Sequence, residues 1–447
     1  MRERLCIIGG VQAGMGAATQ ARRNDPDLEI TVFEKTGYVS YGLCGMPFLI
    51  SGVVKRPEDL MIYSPSYFKN NRNINVLVRH LVEKIDVSGK ELVVKDLDHL
   101  NQEKRYRYDK LILATGARAV RLDSFEGACL KNVFTLRDLA SALEIKRVIQ
   151  EEKPKHAVII GSGLIGLAMA ESFTASGIAV TVVEKEERIL VPFSPDMAEL
   201  VRVELEKKHV TVMTSARLDG FLGKERVEQV SVDGRFIPAD IVLISIGVAP
   251  DTELAEAAGI SIEPQTRAIH VNNKMAVSVP GIYAAGDCTH TYSAVTGEVL
   301  YMPLATITDK QAQTAANNAT SRPSQYRGTI GTIIEKVFDL QVARTGLTEK
   351  QLSGNRISYH TRQVKSFSRA HYYPGSKKMV LKLFAETGSN RLMGAEMIGE
   401  EGVDKRIDVL GLAILHGMKI EDLYHMDFSY TPCFSPSRDI LWLAGMK

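Results

Sequence analysis

Cysteine is scarce in this chain and never closely paired. The five thiols, Cys6, Cys44, Cys129, Cys288 and Cys433, are scattered, odd in number and free of any CxxC or Cys/His metal spacing. A disulfide framework or a zinc site is therefore not expected, no metal is expected, and a reducing cytoplasm fits best. An excess of one charge is lacking too: the net charge of +2 gives no general attraction to nucleic acid or membrane. Nor is there a long apolar run at the start, where Leu5-Cys-Ile-Ile8 meets Gly9 and Gly10. That reads as a first β-strand, not a signal peptide or anchor. What is present is an ordinary globular composition, 45% hydrophobic and 24% charged, over 447 residues. Such a length suggests about three domains.

Two stretches repeat one pattern. After Leu5–Ile8 comes Gly9-Gly10-Val11-Gln12-Ala13-Gly14, then a helix through Ala21-Arg22-Arg23, then a strand, Glu29-Ile-Thr-Val-Phe33, closed by Glu34 and Lys35. A βαβ unit of this spacing offers a helix N-terminus to a pyrophosphate and an acidic residue, about 20 positions on, to a ribose hydroxyl. The middle glycine of GxGxxG is Val11, so this copy alone is equally compatible with a generic α/β turn. The second copy is complete: Ala157–Ile160, Gly161-Ser-Gly163-Leu164-Ile165-Gly166, a helix to about Ser176, then Ala179–Val183 and Glu184. Glu184 favours NADH, because a carboxylate accepts from the 2′-hydroxyl and repels the 2′-phosphate of NADPH. Lys185 and Arg188 soften that preference and leave NADPH open.

Lys110-Leu-Ile-Leu-Ala114-Thr115-Gly116 and Gly281-Ile-Tyr-Ala-Ala-Gly286-Asp287 read as buried parallel strands closing on turns. Asp240–Gly247 reads as the return from an insertion. The expected fold is α/β, with two Rossmann-like dinucleotide-binding domains and a C-terminal α+β domain. The first domain (1–118 and 246–322) is split by the second (119–245), and 323–447 follows. In that last region, strand-like runs at 332–338, 379–384 and 392–397 precede a helical pattern at 404–417, and the apolar content suits packing on the rest or on a second copy.

Between the first acidic strand end and the second fold lies Ser40-Tyr-Gly-Leu-Cys44-Gly-Met-Pro47. Glycines on both sides of one thiol let backbone and ligand come close. Alone, this segment reads as a buried loop thiol.

Gly9-Gly-Val-x-Ala-Gly14, Ala114-Thr-Gly116, Gly161–Gly166 and Ala-Ala-Gly286-Asp287 together resemble the pyridine nucleotide-disulfide oxidoreductases, over essentially the whole chain. The resemblance implies FAD in the split domain, NAD(P)H in the inserted one, Gly247 at its return, and homodimerisation through the third. With Cys44 alone, the chain resembles the single-cysteine branch and not the two-cysteine glutathione-reductase-like enzymes. That branch comprises coenzyme A disulfide reductases, NAD(P)H-dependent persulfide, polysulfide or sulfur reductases, and NADH oxidases and peroxidases.

Members that reduce peroxide or oxygen carry Asn-His-Ala-Gly in the first loop; here the histidine position is Gln12, so a sulfenate would lose its acid–base partner. Tyr372-Tyr-Pro-Gly375 and Ser429-Tyr430-Thr-Pro432 are similar to segments of coenzyme A disulfide reductases whose tyrosines reach the other subunit's cysteine. The resemblance puts coenzyme A contacts on Gln20, Arg23 and Ser40, with Arg72 and Arg438 as looser candidates, the alternative for each arginine being a solvated charge. Two departures stand out. Gly166-Leu-Ala168 replaces the family's Gly-Leu-Glu, leaving that carboxylate absent or supplied by Glu171, and Cys433 stands where relatives often have proline. Cys433 is then either a second exchanging thiol or a small turn residue.

The implied activity is NAD(P)H-dependent, FAD-mediated reduction of coenzyme A disulfide, coenzyme A persulfide or polysulfide. It would proceed through a mixed disulfide on Cys44, with Tyr430 and Tyr372 serving the departing thiolate and the site depressing the thiol pKa. The alternatives are an NADH oxidase and, more remotely, a non-catalytic flavin-binding signalling protein. No rhodanese-like extension follows, so a persulfide supply would come from another protein.

Overall fold

The computed structural model describes residues 2–99 and 101–446. Its first sheet has five parallel strands in the order Ile282–Ala284, Lys110–Leu113, Arg4–Ile8, Glu29–Phe33, Asn75–Leu77. Leu5, Ile7, Ile30, Val32, Leu111 and Ile112 are buried, as expected of a parallel sheet covered on both faces. The helix Gln12–Asn24 lies against Ala305–Ala319, and buried Ala17, Ala18 and Ala21 with Ala312, Ala315 and Ala316 let the two backbones come close.

The chain leaves this sheet along Ala117–Ala119 and returns along Val248–Pro250, the two pairing antiparallel as a ribbon. Between them a second parallel sheet runs Thr211–Met213, Ala179–Val183, His156–Ile160, Ile241–Ile244, Val133–Thr135. The third region is a five-stranded antiparallel sheet, ordered Ile333–Val337, Leu340–Gly346, Leu392–Gly399, Lys378–Glu386, Tyr359–Phe367. The helix Val403–Leu415 packs on it. The expected strands at 379–384 and 392–397 are each longer by a few residues, because cross-strand pairing carries them beyond their apolar cores.

One core cluster joins all three regions. Met46, Leu49 and Ile50 from the segment after Cys44 share it with Leu139, Leu167, Phe173 and Leu243 of the second sheet and its helices, and with Val337, Phe338, Val342 and Ile398 of the third. Each such side chain contributes roughly 1.5–3 kcal/mol when fully buried.

The C-terminal end is pinned by a buried ion pair. Arg406 donates from Nε and Nη2 to Asp439 Oδ2 at 2.9 and 2.6 Å, with both side chains at most 3% exposed. Asp439 Oδ1 also accepts from the amide of Leu441 at the start of the last helix, Ile440–Gly445. Asp439→Asn should leave the guanidinium buried without its counter-charge and cost about 3–5 kcal/mol. Denaturant unfolding of the purified variant checks this; a loss below about 1 kcal/mol would mean that the pair is solvated in effect.

Candidate active site

The first glycine turn brings strand, helix and acidic residue together. A Cβ on Gly14 would fall 1.8 Å from the Gly9 carbonyl oxygen, so helix and strand can close only on glycine. Val11 is tolerated in the middle position because its φ is −100°, a value open to any residue. Glu34 is buried and accepts from the amides of Gly10 at 2.8 Å and Thr36 at 2.7 Å. Lys35 is exposed and faces Asp251 at 3.7 Å. Gly286 packs against Ala13, where a Cβ would sit 2.8 Å from the alanine's own, and this brings Asp287 beside the first helix. Ala114, Thr115 and Gly116 close the neighbouring strand, with the Thr115 hydroxyl donating to the Asp251 carbonyl at 2.6 Å.

The second turn is built alike. Gly166 abuts the Gly161 carbonyl, whereas a Cβ on Gly163 or on Gly247 would meet nothing within 4 Å. The amide end of the helix Leu164–Ala175 is therefore open at Gly163, where no side chain caps it, and Ile165 is exposed beside it. Glu184 Oε2 accepts from the Ser162 amide at 3.0 Å and its hydroxyl at 2.6 Å, and Oε1 from the Glu186 amide at 3.0 Å. The second turn thus has the room that a dinucleotide pyrophosphate requires, and no side chain caps the helix that follows either turn.

Cys44 lies in a 3₁₀ turn, Leu43–Gly45, that runs straight into the short helix Met46–Ile50. Leu60 lies so close over Gly45 that a Cβ there would be 2.4 Å from Leu60 Cδ2, and the Gly42 amide donates to the Leu60 carbonyl at 3.0 Å. Ser172 of the second nucleotide unit donates its hydroxyl to the Pro47 carbonyl at 3.0 Å. The thiol is exposed. Cys6 and Cys288 are buried, and burial pushes their thiols up to about 12 and about 11, which silences them.

The expected depression of the Cys44 pKa is not supplied by this chain's own groups. Protein packed behind the thiol pushes it up, Glu335 and Asp287 push it further, and Arg137 opposes them. Glu335 is itself lifted above the usual carboxylate range by burial, with Glu171 adding to it. Asp287 Oδ2 accepts from Arg137 Nη2 at 2.7 Å, and Arg137 Nε also donates to the Ala117 carbonyl at 2.8 Å. Arg137 and Glu335 are absent from the sequence reading. Nothing local marks them, since each meets the site from a distant segment.

Glu171 does not stand in for the carboxylate missing at Ala168. Its oxygens are taken by the Lys336 ammonium and by the Phe338 amide at 2.9 Å. Gln12 donates to the Ala305 carbonyl at 3.1 Å.

Tyr372 and Tyr430 are 73% and 51% exposed, and the neighbouring Tyr430 hydroxyl raises the Tyr372 phenol. Arg23 is exposed and has no hydrogen-bond or ion-pair partner among the described residues, whereas Arg22 is spent on the carbonyls of Arg72, Asp25, Pro26, Leu28 and Asn73. Gln20 donates to Asn24 and Asn317 at 3.2 and 3.0 Å. Ser40 holds a left-handed backbone (φ 49°) with its amide on the Gly10 carbonyl, which sets it beside the first glycine turn. Arg72 is half-buried, and exposed Arg438 lies over the Trp442 ring at 5.7 Å.

Residues 3–319 match the model of the pyridine nucleotide-disulphide oxidoreductases, and residues 334–440 match that family's dimerisation domain. The chain belongs to this family. Membership makes it an NAD(P)H-dependent flavoprotein reductase that uses FAD, and its C-terminal region a dimerisation domain. The chain is 36% identical over 444 residues to a protein of Methanocaldococcus jannaschii named NADH oxidase, covering 99% of this chain and 98% of that one. It is 35% identical to the NAD(P)H coenzyme A polysulfide/persulfide reductase of Pyrococcus horikoshii, covering 99% and 97%. Among solved structures it superposes on an NAD-dependent persulfide reductase from A. fulgidus with a TM-score of 0.95 at 37% identity, covering 99% of this chain and 82% of that one. Among the described residues no helix is long and apolar enough to cross a membrane.

The raised thiol gives a direct test. Glu335→Gln removes a negative charge that disfavours the thiolate, so the Cys44 pKa should fall. The pH curve of iodoacetamide alkylation of Cys44, followed by peptide mass, should move to lower pH; an unmoved curve would separate Glu335 from the thiol.

Proposed function

We propose that the chain reduces a sulfur–sulfur bond in coenzyme A disulfide, coenzyme A persulfide or polysulfide with NADH, through a mixed disulfide on Cys44. The observation that carries this is the exposed Cys44, without a second cysteine beside it in sequence, in a turn anchored to the core of the second nucleotide unit. The other sulfur-reducing relatives support the substrate class by their names. The first domain, 1–118 with 246–322, would hold FAD through Gly9, Gly10, Val11, Ala13, Gly14, Glu34, Lys35, Ala114, Thr115, Gly116, Gly286 and Asp287. The inserted domain, 119–245, would hold NADH through Gly161, Gly163, Leu164, Ile165, Gly166 and Glu184, with Gly247 at the return, and 323–447 would form the dimer. FAD, when bound, supplies the two-electron relay between nicotinamide and sulfur.

The chain's own steps follow from the thiol. Cys44 Sγ attacks one sulfur of the substrate, forms the Cys44–sulfur bond and expels the other half as a thiolate. Two electrons then cleave the bond between Cys44 and the substrate sulfur, so that substrate, NADH and one proton give NAD⁺ with two thiols from a disulfide, a thiol and sulfide from a persulfide, or sulfide and a shorter polysulfide from polysulfide. The C-terminal segment of one subunit reaches the other's Cys44, and its Tyr430 and Tyr372 hydroxyls hydrogen-bond to the departing thiolate. Their exposure in the single chain, with one phenol raising the other, suits groups that a second subunit covers. Because the resting thiol is raised, these contacts and the bound groups must supply what stabilises the anion.

Arg23, without a hydrogen-bond or ion-pair partner among the described residues, is the leading contact for the coenzyme A phosphates, beside Ser40 and with Arg72 and Arg438 further out. Gln20 would have to exchange its bonds to Asn24 and Asn317 to join them.

The NADH oxidase reading has one relative's name in its favour. Against it, Gln12 stands where an oxygen- or peroxide-reducing site has its histidine, and its amide is turned to Ala305. Cys44→Ser separates the two readings. The variant should lose reduction of coenzyme A disulfide and polysulfide while NADH still bleaches the flavin anaerobically. Full retention of sulfur reduction would overturn the mechanism. Tyr430→Phe should lower kcat by about 10²-fold while Cys44 still accepts the adduct; an unchanged kcat would remove the tyrosine from the reaction.

A further inference from the structure

Glu263, His270 and His290 bring one carboxylate and two imidazoles together, with a ligand atom from each lying within 4.8 Å of the others. Nothing in the proposed reaction uses them. His270 Nδ1 is 3.1 Å from Glu263 Oε2, and the two imidazole rings stack with centroids 5.1 Å apart and planes at 25°.

His290 carries the argument. The residue is wholly buried, yet its Nδ1 has no hydrogen-bond partner among the described residues. Buried polar atoms are nearly always satisfied, so an orphaned imidazole nitrogen beside a second histidine and a carboxylate points to a missing partner. Its Nε2 lies 3.0 Å from the Val271 amide and 3.1 Å from the Val271 carbonyl. Donation from Nε2–H to that carbonyl leaves a lone pair on Nδ1, and a backbone carbonyl on the far nitrogen is the usual support of a metal-ligating histidine. A bound cation would select this tautomer at the expense of the Val271 amide contact, so affinity is set by the exchange of one hydrogen bond for one metal bond.

The backbone holds the three residues close without a cation. Ile269 bridges Ile262 on one side and Thr289 on the other, and its amide donates to the Cys288 carbonyl at 2.8 Å. His270 is half-exposed, which leaves an entry from solvent, while Glu263 is mostly covered.

We propose that Glu263, His270 and His290 bind a divalent transition-metal ion of the zinc type, as a clamp between the 263–270 hairpin and the turn that follows Asp287. Two imidazoles and a carboxylate with a fourth position for water form a familiar zinc donor set, and the nitrogen donors disfavour magnesium and calcium. This site lacks cysteine, so the scarcity of paired thiols does not bear on it.

The test uses the full-length holoenzyme with its exposed thiols alkylated, so that Cys44 and Cys129 do not compete. Zinc chloride is titrated calorimetrically, and thermal unfolding is followed with and without the ion. One zinc per chain should bind and raise the unfolding temperature, and His270→Ala and Glu263→Gln should each weaken binding by more than about tenfold. Because both variants lie at or near the surface, their unfolding temperatures without zinc and their flavin reduction by NADH should match the parent, which separates this result from the sulfur-reduction mechanism. Absence of one-site binding to the parent, or a loss of less than tenfold in His270→Ala, overturns the proposal.

Discussion

The site depends first on where the helix after Cys44 is buried. Met46, Leu49 and Ile50 are packed into the core of the second nucleotide unit rather than into that of the sheet they follow in sequence. The Ser172 hydroxyl fixes the same helix through the Pro47 carbonyl. A thiol on a surface loop would pay conformational entropy at each attack; this one is carried by an element whose side chains are already ordered. The same packing draws in Val337 and Phe338, so the third region braces the thiol as well as offering a dimer surface.

The second constraint is electrostatic. Protein packed behind the exposed thiol, Glu335 and Asp287 all favour the protonated form, and Arg137, partly committed to Asp287, opposes them. A protonated resting cysteine is a poor nucleophile and resists stray oxidation. On the proposed mechanism, reactivity arises when cofactor, substrate and second subunit complete the site. The exposed pair Tyr372 and Tyr430 and the exposed cation of Arg23 are groups that this assembly can engage.

The two nucleotide folds are legible in the sequence because their signals are local. A glycine turn, an apolar strand and an acidic strand end fall within about 30 residues, the length of a βαβ unit. Val11 breaks the first motif without breaking the turn, since its φ stays negative. The charges around Cys44 are not legible, because they arise from long-range contacts: Arg137 meets Asp287 across 150 residues, and Glu335 lies on a strand of the third region. Glu171 shows the converse error. One turn beyond Ala168 on the same helix, it is by spacing a natural substitute, but the third region's Lys336 and Phe338 amide claim it. The Glu263–His270–His290 cluster escapes sequence reading for the same reason, its members being joined only by the fold.

The central claim is that the electrons leave through sulfur on Cys44. Its most direct test is the mass of the Cys44 peptide from protein treated with coenzyme A disulfide before NADH is added, digested without reductant. The account predicts a coenzyme A adduct on that peptide alone, lost on addition of NADH. A protein that turns over coenzyme A disulfide with Cys44 unmodified throughout would contradict it.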